Sequence, residues 1–119
     1  MVYTLDLKFL GYSQSIAAYL VETSKGPVLV ETGPHSTYEV LKSEINRCGF
    51  EMGEIKHVFL SHIHLDHAGA AWALATLGAS VYLHPVGEPH LANPKKLIES
   101  AKRIYQEDMD RLWGEIHPI

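Results

Sequence analysis

Apolar and polar residues alternate in part from Val2 to Phe9, and a second run of the same character extends from Ser15 to Thr23 beyond Gly11-Tyr12-Ser13. A side-chain period near two is that of a strand, so both runs are predicted strands. Ser24-Lys25-Gly26 is a turn signal, and Pro27 opens a third strand through Val28-Leu29-Val30. The three read as an antiparallel meander.

The period then lengthens. After the loop Glu31-Thr32-Gly33-Pro34, with Ser36 or Thr37 as N-cap, Val40, Leu41, Ile45 and Cys48 fall at helical spacing before Gly49. That is a first helix with its stop. His57 to Leu60 is a short β-prone run, Ala68 to Leu77 a small-residue helix, and Ser80 to Leu83 a further strand. His84 to Asn93 is a connection, and a last helix starts at Asn93-Pro94 with Leu97, Ile98, Ala101, Ile104, Tyr105, Met109, Leu112 and Trp113 on one stripe. This order of elements predicts an α/β (α+β) chain whose mixed β-sheet carries helices on at least one face. Residues 1–119 read as a single domain, without repeat or linker.

Composition narrows the functional classes. With 46% hydrophobic and 20% charged residues the chain has the make-up of a globular protein, and a formal charge of -4 offers no basic surface for a nucleic acid or an anionic membrane. Neither partner is expected. Cys48 is the only cysteine, which excludes an intrachain disulfide and a cysteine-rich zinc cage. With no apolar run of about eighteen residues and no secretory pattern at the N-terminus, the expected location is cytoplasmic.

Eight histidines are present, and three of them fall within His62-Ile63-His64-Leu65-Asp66-His67. His62 and His64 are two apart beyond a predicted strand, where alternate side chains point the same way with Cα atoms about 6–7 Å apart. Two imidazoles so placed converge on one ion, and Asp66 and His67, at the mouth of the next helix, can serve a second ion close by. Two such ions share a water whose pKa falls toward neutrality, which makes it a nucleophile. His84, His90 and His117 are isolated, His84 being the best placed of them to support the site.

The pattern H-x-H-x-D-H at His62, His64, Asp66 and His67 resembles the signature of the metallo-β-lactamase superfamily. Glu31-Thr32-Gly33 is similar to that family's acidic-Thr-Gly loop, and Val81-Tyr82-Leu83-His84 to the strand after its metal helix. His64 stands where the flavodiiron branch usually has Glu, which favours the zinc hydrolases or the single-iron sulfur dioxygenases. The resemblance implies half of an αβ/βα sandwich, a mixed sheet with helices on one face. It also implies two Zn²⁺ ions per complete site, iron or manganese being alternatives. Asp66 is then the candidate catalytic residue as well as a ligand, and Glu31, replacing the usual Asp, supports the ligands from behind together with His84.

Family members run to about twice this length, and their C-terminal half adds further metal ligands. The resemblance therefore leads to a hydrolase attacking an ester, thioester, lactam or phosphoester of a small-molecule substrate, with its site completed by that half or by a homodimer formed through the open sheet face. A metal-binding half-domain without turnover and a mononuclear iron sulfur dioxygenase are the competing expectations.

Overall fold

In the computed structural model, which describes residues 1–119, five strands form one sheet in the order β1-β2-β3-β4-β5. The meander is β1 (Val2–Asp6), β2 (Ala17–Thr23) and β3 (Gly26–Val30), antiparallel with Leu5 opposite Ala18 and Leu20 opposite Leu29. β4 (His57–Phe59) and β5 (Ser80–Tyr82) then join in parallel, Leu29 beside Val58 and Val58 beside Val81. Parallel neighbours need a crossover, and α1 (Tyr38–Arg47) and the helical pair α2 (Leu65–Ala68) and α3 (Ala71–Thr76) supply the two. The mixed sheet expected from the alternation of patterns is thus present.

Its two faces differ. Leu5, Ala18, Leu20, Leu29 and Val58 are buried against Leu41 and Ile45 of α1 and Leu74 of α3, so the helices and the main core lie on one side. On the other side Tyr19, Phe59 and Tyr82 remain 40%, 44% and 42% exposed, in one row across the sheet with Val30. Phe59 and Tyr82 stack there with ring centroids 4.7 Å apart. No helix is long and apolar enough to cross a membrane.

Four local expectations are corrected. Thr37 does precede α1, but its hydroxyl donates back to the Pro34 carbonyl (3.2 Å) instead of capping the helix, while the Ser36 hydroxyl donates to the Leu112 carbonyl (2.6 Å). The helix expected over 68–77 is two pieces, because the Ala70 N–H donates sideways to the Gly33 carbonyl at 2.9 Å. The connection 84–93 contains α4 (Glu88–Ala92). The last stripe is cut at Gln106, whose φ of 48° and ψ of −120° end α5 (Lys95–Tyr105) and turn the chain through a short 3-10 segment into α6 (Met109–Trp113). Ala101 and Met109 stay buried against Leu65, but Ile104 is left 73% exposed.

Glycine 69 is where the helical pair meets the loop after β3. A Cβ there would lie 2.6 Å from the Leu65 carbonyl oxygen and 2.9 Å from Pro34 Cα, both backbone atoms that cannot swing aside. Gly69→Ala is expected to destabilise the fold by about 1–3 kcal/mol, read as a lowered Tm. A second prediction concerns Asp6. Its carboxylate accepts the backbone N–H groups of Gln14 and Lys8, both at 3.0 Å, which hold its pKa below the ordinary value. A depressed carboxyl contributes stability above its unfolded pKa and loses it as pH falls through the folded one. The stability difference between wild type and Asp6→Asn should therefore be present at neutral pH and vanish under acid, as measured by urea denaturation across pH.

Candidate metal centre

The centre is built where β3 and β4 end side by side. Beyond β3, Glu31 enters the left-handed region (φ 68°) and turns its side chain inward, where the residue is only 5% exposed. Its N–H donates to the Phe59 carbonyl at 2.9 Å, which prolongs the pairing of the two strands by one step. Its carboxylate then holds two groups of the histidine loop. Oε1 accepts the Ser61 N–H (2.8 Å), and Oε2 engages Nδ1 of His67 (2.8 Å).

Thr32, fully buried, makes the second tie: its N–H donates to the His67 carbonyl at 2.8 Å, and its hydroxyl accepts the Ala70 N–H at 3.3 Å. The acidic-Thr-Gly loop thus clamps both ends of the turn that carries His62 to His67. Gly33, at φ 71°, lets the loop pass over Leu7, whose side chain a Cβ would strike.

Within that turn, His62, Asp66 and His67 bring one ligand atom each to within 4.8 Å of one another. His67 Nε2 and Asp66 Oδ2 are 3.3 Å apart, and the rings of His62 and His67 have centroids 3.9 Å apart. Two ligand atoms of a tetrahedral zinc, each about 2.0–2.1 Å from the ion, are themselves separated by about 3.3 Å. The donor set of two imidazoles and a carboxylate, at this spacing, fits a divalent cation. His62 is further steadied by the Ser61 hydroxyl, 2.9 Å from its Nδ1. This contact of Ser61 was not anticipated from sequence, although its place immediately before the first histidine is the signal for it.

His64 is not in the converging group. It precedes α2, its carbonyl accepts the N–H groups of His67 and Ala68 (both 2.9 Å), and its exposed ring meets that of His62 edge-on with centroids 4.9 Å apart. The structure thus places His62 nearest Asp66 and His67, with His64 beside His62 and outside that group. His84 lines a cavity of about 290 Å³ together with Ser61, His62 and His90, and its Nδ1 accepts the Val86 N–H at 3.2 Å. His117 lies against Trp72, centroids 4.3 Å apart, and serves packing.

Comparisons with known proteins identify the family and the fold. A family profile described as the metallo-beta-lactamase superfamily matches residues 13–117. Among solved structures, the MIM-2 metallo-beta-lactamase is similar at 28% identity and a TM-score of 0.67, over 77% of this chain and 33% of its own. A metallo-beta-lactamase of Cronobacter sakazakii with a HARLDQ motif is 26% identical, TM-score 0.65, over 76% of this chain and 34% of its own. BJP-1, a subclass B3 metallo-beta-lactamase of Bradyrhizobium japonicum, shares the fold at 23% identity and a TM-score of 0.70, over 99% of this chain and 40% of its own. No curated protein matches the chain. The chain spans between a third and two fifths of the length of these three structures.

The carboxylate of Glu31 is expected to be the support of the histidine loop. Glu31→Gln puts an amide where two N–H groups need acceptors, and should lower stability by about 1–3 kcal/mol in chemical denaturation. Nitrogen NMR of the His67 ring should show the proton moved off Nδ1 in the variant; an unchanged ring would contradict the assignment.

Proposed function

The chain belongs to the metallo-β-lactamase superfamily, and on that premise we propose that it is a metal-dependent hydrolase whose complete site uses two zinc ions. One observation carries the reading. His67 gives its Nδ1 side to Glu31 at 2.8 Å while its Nε2 stands 3.3 Å from Asp66 Oδ2. With the ring proton on Nδ1, a lone pair faces a carboxylate oxygen, an adverse pairing unless a cation or a second proton lies between them.

His62, Asp66 and His67 would hold the first ion, and His64, beside His62, would turn toward the second. Iron or manganese suits the same donors. A divalent cation bound there supplies Lewis acidity, polarising a carbonyl or phosphoryl oxygen and acidifying water. Glu31 fixes the His67 tautomer and ring orientation, as hydrogen-bonded carboxylates do behind metal-ligating histidines. Asp66, with its side chain 42% exposed, has a second oxygen free to accept the proton of a water attacking an ester, thioester, lactam or phosphoester, and this makes it the candidate catalytic residue. His84 borders the cavity beside His62 and is placed to orient a substrate.

The open row of Tyr19, Val30, Phe59 and Tyr82 supports a second element of the reading, a homodimer in which the same face of two copies is covered in an isologous contact. It would bring two histidine loops into one assembly and add the ligands that one loop lacks.

Equilibrium dialysis against zinc followed by elemental analysis tests the site: Asp66→Ala and His67→Ala should lose bound metal, and Glu31→Gln should weaken binding about 10–100-fold. A full complement in either ligand variant would refute the assignment. Zinc binding without turnover of any ester would leave a metal-binding half-domain, and one iron per chain with oxygen consumption would leave a sulfur dioxygenase. Sedimentation at micromolar concentration should give a dimer that Phe59→Lys dissociates; a monomeric wild type contradicts the dimer.

A further inference from the structure

Leu65 stands between His64 and Asp66 in the chain and packs on Ala101 and Met109, so the C-terminal helices are anchored to the middle of the histidine loop. Between loop and helices lies a groove of about 470 Å³, lined by both His64 and Asp66. Its remaining wall is almost wholly apolar. α5 contributes Leu97, Ala101, Ile104 and Tyr105, and α6 contributes Trp113. The turn at Gln106 folds α6 back so that the Trp113 ring meets Tyr105 edge-on at 5.3 Å and stacks on Phe9 at 5.2 Å. The indole N–H is buried without an acceptor, so this residue offers ring surface and not a hydrogen bond.

Apart from His64 and Asp66 the wall's polar groups are the hydroxyls of Ser100 and Tyr105, and no lysine or arginine lines it. Away from the metal ligands themselves, a phosphorylated or carboxylated arm lying along this wall would therefore find no cationic side chain to pair with. Ile104, 73% exposed, stands on the wall as apolar surface that a small molecule can cover.

We propose that this groove receives the uncharged apolar arm, a medium-length acyl chain, of a carboxylic ester or thioester whose scissile bond lies over the His62–Asp66–His67 cluster. This rests on the hydrolase reading and narrows it: among the substrate classes above, those with an apolar acyl side are favoured. Groove and cluster share Asp66, so an arm seated against Leu97, Ile104 and Trp113 holds the adjoining carbonyl beside the carboxylate that accepts the water's proton.

The test separates arm binding from turnover. Acetanilide and hexananilide, neutral amides that resist hydrolysis, are titrated into the Trp72→Phe protein while Trp113 fluorescence is followed. Since each buried methylene contributes a factor of about four, hexananilide should bind at least about tenfold more tightly than acetanilide. Ser100→Phe, which fills the groove from an exposed position, and Ile104→Asp, which charges its wall, should each remove that preference while circular dichroism and zinc content stay unchanged. Equal affinity for the two anilides, or a preference that survives both substitutions, would overturn the proposal. So would a fall in sedimenting mass with Ile104→Asp, which would make the groove a contact between chains. Arm binding without hydrolysis of phenyl hexanoate by the zinc-loaded protein would sink the hydrolase reading and leave the groove standing. Hydrolysis of phenyl acetate and phenyl hexanoate at equal kcat/KM would do the reverse.

Discussion

One buried carboxylate holds the site together. Glu31 leaves β3 with a positive φ, is almost removed from solvent, and divides its two oxygens between a backbone N–H of the histidine loop and the ring of His67. A charged group so enclosed is tolerable only because both oxygens are engaged and the loop it grips is rich in donors. A non-glycine residue in the left-handed region carries strain, and here the strained residue is the one that orients His67, a placement consistent with a functional demand on the backbone.

The rest of the fold makes that grip possible. Parallel pairing of β3 with β4 brings two strand ends to the same edge, so the loop after one can reach the loop after the other. Close contact of Gly69 with Pro34, and the sideways hydrogen bond from Ala70 to Gly33, fix where the helical pair starts. The same break in the helix leaves α2 only four residues long, and these include Asp66 and His67 in its first turn. A continuous helix over this stretch would have had to give up the clamp at Thr32. Leu65 then ties the loop on its other side to α5 and α6, so the histidine loop is held from the sheet by Glu31 and Thr32 and from the helices by Leu65.

Much of this was legible in the sequence because the controlling signals were local. Alternation in β1 and β2, the Ser24-Lys25-Gly26 turn and the Gly49 stop of α1 all depend on residues near in the chain, and each element appears. The histidine cluster was legible for the same reason, its spacing being a property of six consecutive positions. What escaped depends on contacts between distant segments. The breaks at Gly69–Ala70 and at Gln106 arise from docking against residues 33–34 and from a turn that no glycine or proline marks. Thr37 looked like a cap, but the nearby Pro34 carbonyl took its hydroxyl. How near the His62 ring comes to Asp66 and His67 depends on the turn between β4 and α2, which spacing in the chain does not express.

The central claim is that Glu31 holds His67 so that its outer nitrogen, with Asp66 and His62, forms the binding face for a divalent cation. The most direct measurement is anomalous diffraction at the zinc absorption edge from crystals of the protein grown with zinc. The account predicts a peak bounded by His62, Asp66 and His67, with Glu31 still against Nδ1 of His67. Zinc bound only elsewhere on the chain, or those three side chains turned away from one another in the presence of the metal, would contradict it.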